Sequence, residues 1–298
     1  MVLVGVAVAL ASCGGGSQPS AQPPPDGARV VAERPVAARI VDLTVRSRAL
    51  GTTAKVRLLT PHGWTARAQG RRWPVLYLLH GCCDTYDSWT RSTDVEDLHA
   101  LRHVLVVMPE GGAVGFYSNW RDGPAWETFH LGELRRILER NYGAGTPRAI
   151  AGLSMGGLGA MDYAARHPGL FAAAASYSGV LHPLEDPRWW LGLFSAETSD
   201  PRAVWGDPVT DRRTWAAHDP TALADRLRGT RLFVASGNGE RGGKRDPIEA
   251  TVDAESHAFV ARLRRLRIPV QTYFYGPGTH DWPYWQRDLG RSLPLLLS

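Results

Sequence analysis

The part of this chain best suited to chemistry is the pentapeptide Gly-Leu-Ser-Met-Gly of residues 152–156. Residues 148–151 before it are mostly apolar, which is typical of the end of a buried strand, and residues 157–167 have the pattern of an amphipathic helix closed by Pro168-Gly169. Strand, sharp turn and helix form a nucleophile elbow, in which flanking glycines leave room for a serine in a strained backbone conformation. We therefore predict that Ser154 is a nucleophile. The alternative is an ordinary glycine-rich turn.

A serine hydroxyl becomes a good nucleophile only when a base takes its proton and an acid orients that base. His280 lies in the glycine-rich stretch 276–282, after the last predicted strand and before a predicted C-terminal helix. Where a nucleophile elbow is present, the chain order is serine, acid, histidine, with the histidine on such a loop. We therefore predict that His280 is the base. Histidines at predicted turns or on helices are interpreted as solvated: His62, His99, His103 and His167.

Two main-chain N–H groups are predicted to stabilise the oxyanion that forms when Ser154 attacks. One belongs to Met155, which the elbow places at a helix N-terminus. The other belongs to Cys82, in a His-Gly-Cys-Cys turn that follows a predicted strand. We expect His80 of this turn to line the substrate cleft. No elbow surrounds Cys82 or Cys83, which argues against a cysteine nucleophile, and these neighbours are either free thiols or a vicinal disulfide.

The apolar patterns predict an α/β fold in one domain. Residues 39–59 alternate in polarity about a break at Leu50-Gly51 and predict two antiparallel strands; near-continuous apolar runs at 74–79 and 104–108 predict strands buried on both faces. Further strands are predicted at 172–178, 231–235 and 269–275, and a helix at 126–142 that Gly143 caps. Alternating strands and helices indicate a mostly parallel central sheet with helices on both faces, the α/β-hydrolase arrangement. Residues 181–219 show no period and predict an irregular insertion over the cleft.

The composition is that of an ordinary globular protein of 298 residues, with 44% hydrophobic and 21% charged residues. The formal charge of +5 comes mostly from scattered arginines, so we expect no nucleic-acid partner. The chain has no Cys-x-x-Cys pair and no zinc-type spacing of histidines and cysteines, so we expect no metal, and no cofactor is predicted. Several of the eleven tryptophans lie near predicted loops, and Trp120 is predicted to line an apolar cleft.

The first residues have the pattern of an export signal. Residues 2–11 are apolar but too few to span a bilayer, and the following Ser12-Cys13 completes a sequence that resembles a bacterial lipobox. We predict a signal peptide with lipobox over 1–13, lipidation of Cys13, a flexible linker over 14–38 and a catalytic domain over 39–298. The missing Lys/Arg before Val2 suggests a start upstream of Met1. An ordinary cleaved signal peptide, and hence a secreted protein, is the alternative.

Four stretches resemble the esterase D / antigen 85 mycolyltransferase family: residues 126–129, 150–157, 237–239 and 278–285. They occur in the family's order, and the resemblance extends from about Val36 to the C-terminus. It implies a single α/β-hydrolase domain that uses serine, glutamate and histidine to move an acyl group through an acyl-enzyme. Ser154 and His280 match the family's serine and histidine directly.

The acid is less sharply defined than the serine and the base. A generic hydrolase template places it just after the 231–235 strand, which favours Glu240 or Asp246. The resemblance implies Glu249 instead, near the start of the following helix. We rank Glu249 first and Asp246 second, and interpret Asp253 and Glu255 as a solvated helix face.

The resemblance also bears on substrate. The mycolyltransferases have an Asp-Gly-Leu-Arg turn, whose Asp and Arg help to hold trehalose, where this chain has His-Gly-Cys-Cys at 80–83. That difference favours a serine esterase of the cell envelope acting on carboxylic esters. An acyltransferase that uses a sugar or glycerol acceptor is the second hypothesis, in which Trp282 lines the acceptor cleft. A non-catalytic binding lipoprotein is the third.

Overall fold

Nine strands form one central sheet in the structure, a computed structural model that describes residues 27–65 and 70–298. The strands of this sheet are β1 (Arg29–Ala37), β2 (Ile40–Arg46), β3 (Thr53–Leu59), β4 (Trp73–Leu79), β5 (Leu105–Pro109), β6 (Ala144–Leu153), β7 (Ala173–Tyr177), β8 (Arg231–Gly237) and β11 (Gln271–Tyr275). Their order is β1-β2-β3-β5-β4-β6-β7-β8-β11. A separate hairpin pairs β9 (Glu240–Arg241) with β10 (Lys244–Arg245).

The sheet is mostly parallel, as predicted. Strands β1, β2, β3 and β5 pair antiparallel, whereas β5, β4, β6, β7, β8 and β11 run parallel. The helices are α1 (Ser88–Ser92), α2 (Arg135–Asn141), α3 (Met155–Arg166), α4 (Pro187–Glu197), α5 (Arg202–Trp205), α6 (Arg212–Ala216), α7 (Pro247–Arg265) and α8 (Trp282–Leu296). Short 3₁₀ turns lie at Val95–Asp97, His99–Leu101 and Ala224–Leu227.

Helices cover both faces of the sheet because its strands are apolar on both faces. On β4, Tyr77 and Leu79 belong to one core layer, and Leu76 and Leu78 belong to the other. Helices α2, α3 and α7 pack into the first layer, and α1 and α8 pack into the second. The parallel strands therefore end at one edge of a sheet that is shielded on both sides, where the fold places its site loops.

Strand β1 lies within the predicted flexible linker, so the prediction of that linker was wrong over residues 29–37. The predicted flexible segment 14–38 includes residues 29–37, yet these residues pair antiparallel with β2, so the ordered domain starts before residue 39. The side chains of β1 are mostly exposed, so its sequence carries no burial pattern that could predict a strand. Its main-chain hydrogen bonds to β2 hold it instead.

Two further elements differ from their predictions. The helix predicted over 126–142 is a π-helix at Thr128–Leu134 followed by α2, although Gly143 does adopt a positive φ of 70° after it. The predicted irregular insertion 181–219 contains the helices α4, α5 and α6. These helices are short, and they are packed through aromatic side chains, so no regular period marks them: Trp190, Phe194, Trp205 and Trp215 are all buried.

The elbow that joins β6 to α3 packs directly on the end of β4. A Cβ on Gly156 would lie 2.6 Å from the carbonyl oxygens of both Leu79 and His80. A Cβ on Gly152 would meet Gly156 itself and the Cβ of Leu79. Both glycines are therefore required by contact with main chain, which cannot move aside as a side-chain tip can.

We expect Gly156→Ala to lower the free energy of unfolding by about 1–3 kcal/mol or more, because the added methyl group overpacks two carbonyls. The matched control is Gly290→Ala, on the exposed face of α8 where a Cβ meets nothing within 4 Å. Alanine there should stabilise the protein by up to about 1 kcal/mol through helix propensity. Urea unfolding measures both, and equal midpoints for Gly156→Ala and the wild type would contradict the packing argument.

Candidate active site

Ser154 lies at the turn between β6 and α3 with φ 53° and ψ −119°, a conformation that residues other than glycine seldom adopt. Its N–H donates to the carbonyl of Tyr177 at 2.9 Å, and its own carbonyl accepts from Gly157 at 2.9 Å and Val180 at 3.3 Å. These bonds offset the backbone strain and hold the side chain at the carboxyl edge of the sheet. The predicted elbow is therefore present in the structure, with Ser154 half-buried at its apex.

His280 and Glu249 come together although 31 residues separate them. The Nδ1 atom of His280 lies 2.7 Å from Oε2 of Glu249, whose side chain is fully buried in the first turn of α7. The His280 ring is 13% exposed, on the loop between β11 and α8. A buried carboxylate at Nδ1 leaves Nε2 as the ring nitrogen available to exchange a proton.

The second carboxylate oxygen of Glu249 is also fully engaged. Oε1 accepts from the hydroxyl of Ser178 at 2.8 Å and from the N–H of Gly237 at 2.6 Å. Trp285 donates from Nε1 to the Ser178 hydroxyl at 3.1 Å, and its ring packs edge-on against His280 with centroids 4.9 Å apart. A buried charge is tolerated when hydrogen bonds satisfy it in this way.

Sequence reasoning did not identify Ser178 or Trp285. Ser178 follows β7, the neighbour of the β6 strand that leads into Ser154, and has a φ of 46°. The sequence signal that could have identified Ser178 is its position just beyond the carboxyl end of a strand adjacent to β6. Trp285 lies in the stretch 278–285 that resembles the family, but its bond to Ser178 depends on the docking of α8.

The alternative acids lie elsewhere. Asp246 caps α7: its Oδ1 accepts from the N–H groups of Ile248 and Glu249, and its Oδ2 accepts the main-chain N–H of His280 at 2.8 Å. It therefore ties the helix that carries Glu249 to the His280 loop, without bonding the imidazole. Glu240 lies exposed in the β9–β10 hairpin.

The interpretation of Glu255 as part of a solvated helix face was wrong. Its side chain is buried and accepts from Leu181 N at 2.8 Å, His182 N at 3.0 Å and Trp190 Nε1 at 2.9 Å. Burial raises the pKa of Glu255 to about 7. The insertion covers this face of α7, which periodicity within α7 could not reveal. Asp253 is only half-buried and accepts from the Ser236 hydroxyl at 2.6 Å.

The turn of residues 80–83 flanks the elbow. A Cβ built on Gly81 would lie 3.3 Å from the Cβ of Ser154. Met155 is the first residue of α3, so its N–H precedes the helical hydrogen-bond ladder. Within 27–65 and 70–298, the Cys82 N–H has no acceptor, whereas the Cys83 N–H donates to Ala113. Cys82 and Cys83 form a vicinal disulfide, one of the two states that the sequence left open.

The expectation that His80 lines the cleft was wrong, because its ring is only 1% exposed and is enclosed behind the turn. Trp282 is half-buried and packs edge-on against Trp89 and Trp285, with centroids 5.3 and 5.2 Å away. Trp120 is also half-buried and donates from Nε1 to the Gly115 carbonyl.

Cys13, the predicted lipidation site, lies outside the described residues. Of the helices in the described ranges, none has the length and apolar character needed to cross a bilayer. The same ranges contain no group of three or more His, Cys, Asp or Glu side chains arranged to hold a metal ion.

Comparison with known proteins shows the family of this chain. The Esterase family model matches residues 47–296. Esterase Rv1288 of Mycobacterium tuberculosis is 34% identical over 273 residues, which cover 85% of this chain and 58% of the relative, so the chain spans less than two thirds of that relative's length. The diacylglycerol acyltransferase/mycolyltransferase Ag85B of Mycolicibacterium smegmatis is 33% identical over 247 residues, covering 74% of this chain and 75% of the relative.

Solved structures agree on the fold. The M. tuberculosis protein MPT51 (FbpC1) superposes with a TM-score of 0.74 and 29% identity, covering 87% of this chain and 98% of its own. The fluorophosphonate-binding serine hydrolase FphF of Staphylococcus aureus has the same fold, with a TM-score of 0.70 and 22% identity over 87% of this chain and 98% of its own. The α/β-hydrolase fold and the resemblance to the esterase D / antigen 85 group are thus confirmed, and the chain belongs to the Esterase family.

Proposed function

We propose that this protein is a serine esterase that hydrolyses carboxylic esters through an acyl-enzyme, with Ser154 as nucleophile, His280 as base and Glu249 as acid. The observation that carries the proposal is the 2.7 Å contact of the buried Glu249 carboxylate with His280 Nδ1, on the loop that follows β11. A histidine held in this way takes the serine proton at Nε2, and the carboxylate stabilises the imidazolium that forms.

The reaction proceeds in two halves. Ser154 Oγ attacks the ester carbonyl carbon while His280 takes the hydroxyl proton, and the carbonyl oxygen becomes an oxyanion facing the N–H groups of Cys82 and Met155. Collapse of the tetrahedral intermediate breaks the ester C–O bond, and the imidazolium protonates the leaving alkoxide. Water, deprotonated by His280, then attacks the acyl-enzyme, which releases the acid and restores Ser154.

The second candidate is transfer of the acyl group to an alcohol instead of water. Its support is the 33% identity to a protein named as a diacylglycerol acyltransferase/mycolyltransferase. Against it, the turn 80–83 carries no Asp and Arg pair of the kind that the mycolyltransferases use for trehalose. We therefore rank hydrolysis first, with a sugar or glycerol as the acceptor in the alternative, and Trp120 and Trp282 as candidates for the cleft wall.

We expect Ser154→Ala to abolish turnover of p-nitrophenyl esters and covalent labelling by a fluorophosphonate probe, because no other hydroxyl occupies the elbow. His280→Ala should lower kcat by about 10⁴- to 10⁶-fold. The control is Ser195→Ala, an exposed serine on α4, which should keep full activity. Labelling that persists in Ser154→Ala would remove Ser154 from this role, and absence of turnover in the wild type with every ester would favour a binding protein.

A series of p-nitrophenyl esters of increasing chain length, with and without added sugar or glycerol, separates hydrolysis from transfer. Free acid as the sole product supports the esterase. New ester formed in proportion to the added alcohol supports the acyltransferase.

The two remaining acid candidates are distinguished by substitution. Glu249→Gln should lower kcat by about 10²- to 10⁴-fold, since an amide cannot stabilise the imidazolium. Asp246→Asn keeps an N-cap residue on α7 and should cost less than about ten-fold. If Asp246→Asn proves the more damaging change on the same ester, the assignment of Glu249 is wrong.

We also propose that the protein is exported and held at the cell envelope by acyl chains on Cys13. Burial of acyl chains stabilises attachment by about 0.8 kcal/mol per CH₂, and two or more chains anchor a protein stably. In a version with a basic segment added before Val2, Cys13→Ala should move the protein from the membrane fraction to the medium. Wild-type protein found free in the medium would contradict anchoring and leave an ordinary secreted protein.

A further inference from the structure

His80 has both ring nitrogens engaged, and this defines where its proton lies. The main-chain N–H of Gly111 donates to Nε2 at 2.8 Å. A nitrogen that accepts a hydrogen bond carries no proton, so in the neutral ring the proton is on Nδ1. Nδ1 lies 2.8 Å from the carbonyl oxygen of Gly81, to which it therefore donates.

That hydrogen bond determines the orientation of the peptide group between Gly81 and Cys82. The Gly81 carbonyl and the Cys82 N–H belong to one trans peptide unit, in which the two groups point in opposite directions. With its carbonyl directed at the His80 ring, the unit directs the Cys82 N–H away from that ring. This N–H has no acceptor in the described part of the chain, and Gly81 packs against the Cβ of Ser154.

Neighbouring groups hold the main chain of His80 and enclose its ring. Tyr117 donates from its hydroxyl to the His80 carbonyl at 3.0 Å. The Glu110 carboxylate lies 3.4 Å from Nε2, and its Oε1 accepts the N–H groups of Gly111 at 3.2 Å and Gly112 at 2.9 Å. The Gly111 N–H is therefore shared, with its shorter bond to Nε2. Gly81, in contrast, has no side chain to restrain its own dihedral angles, so the bond from His80 adds to the restraint that the Cys82–Cys83 disulfide places on this peptide.

We propose that His80 is a positioning residue of the oxyanion hole: its Nδ1–H bond to the Gly81 carbonyl keeps the Cys82 N–H facing the carbonyl oxygen of the substrate. This inference rests on the proposed esterase function. A peptide that turned over would present a carbonyl where the oxyanion forms, which removes one donor and adds a repulsive dipole. Loss of one such donor typically costs about 10²–10³-fold in kcat.

Two isosteric substitutions separate this role from a merely structural one. An asparagine amide reaches about the position of His Nδ1, whereas a glutamine amide reaches that of Nε2. His80→Asn can therefore keep the donor to Gly81, and we expect its kcat to stay within about ten-fold of the wild type. His80→Gln keeps only the group facing Gly111, and its kcat should fall by about 10²–10³-fold with KM changed less than about three-fold.

The matched control is His218→Gln, a buried histidine whose Nδ1 lies 3.0 Å from Asp162 and which bonds no residue of the turn. It should lose stability in urea without the selective fall in kcat. The rate of fluorophosphonate labelling should fall with kcat in His80→Gln, because the phosphoryl oxygen occupies the same hole. Equal losses in His80→Asn and His80→Gln, or an unchanged kcat in His80→Gln, would overturn the proposal.

A measurement on the unmodified protein keeps the proposal testable even where a variant does not fold. Nitrogen-15 NMR of labelled imidazoles distinguishes protonated from unprotonated ring nitrogens, and His80 should carry a proton on Nδ1 and none on Nε2. A proton on Nε2 contradicts the proposal. Failure of Ser154→Ala to abolish turnover would instead contradict the esterase function, so the two failures are distinguishable.

Discussion

The close approach of the elbow to the end of β4 is the constraint on which the site depends. Gly156 lies against the carbonyls of Leu79 and His80, so β6, α3 and β4 meet main chain to main chain with no side chain between them. This contact places Ser154 beside the turn that contains Gly81 and Cys82. Ser154 and both candidate oxyanion donors therefore occupy adjacent backbone, and their geometry depends on glycines that accept no side chain.

The other half of the site depends on a buried charge. Glu249 is fully buried, and its carboxylate is hydrogen-bonded to His280 Nδ1, the Ser178 hydroxyl and the Gly237 N–H. Removing water from a carboxylate is costly unless bonds of this kind replace it. Asp246 adds a second connection, since one carboxylate caps α7 and holds the main chain of His280. Glu249 and His280 are thus held in fixed contact, which is the geometry that the proposed proton transfer requires.

The insertion packs against the helix that carries Glu249. Its short helices bury Trp190, Trp205 and Trp215, and the Trp190 indole and two main-chain N–H groups bind Glu255 on α7. The helix that carries Glu249 is therefore clamped on two sides, by the sheet and by the insertion. Burial raises the pKa of Glu255 to about 7. The contact between α7 and the insertion therefore contains a carboxyl group whose charge depends on its burial by the insertion.

The sequence by itself determined the local features: the elbow at Ser154, the loop of His280, the parallel strands and the α/β-hydrolase fold. Each of these is specified by neighbouring residues, through glycines at a strained turn or apolar runs of strand length. Only the tertiary structure decided which carboxylate meets His280, that His80 faces inwards and that Glu255 is covered. The physical reason is that burial and pairing join segments far apart in the chain, and β1, whose side chains are mostly exposed, left no burial pattern in the sequence.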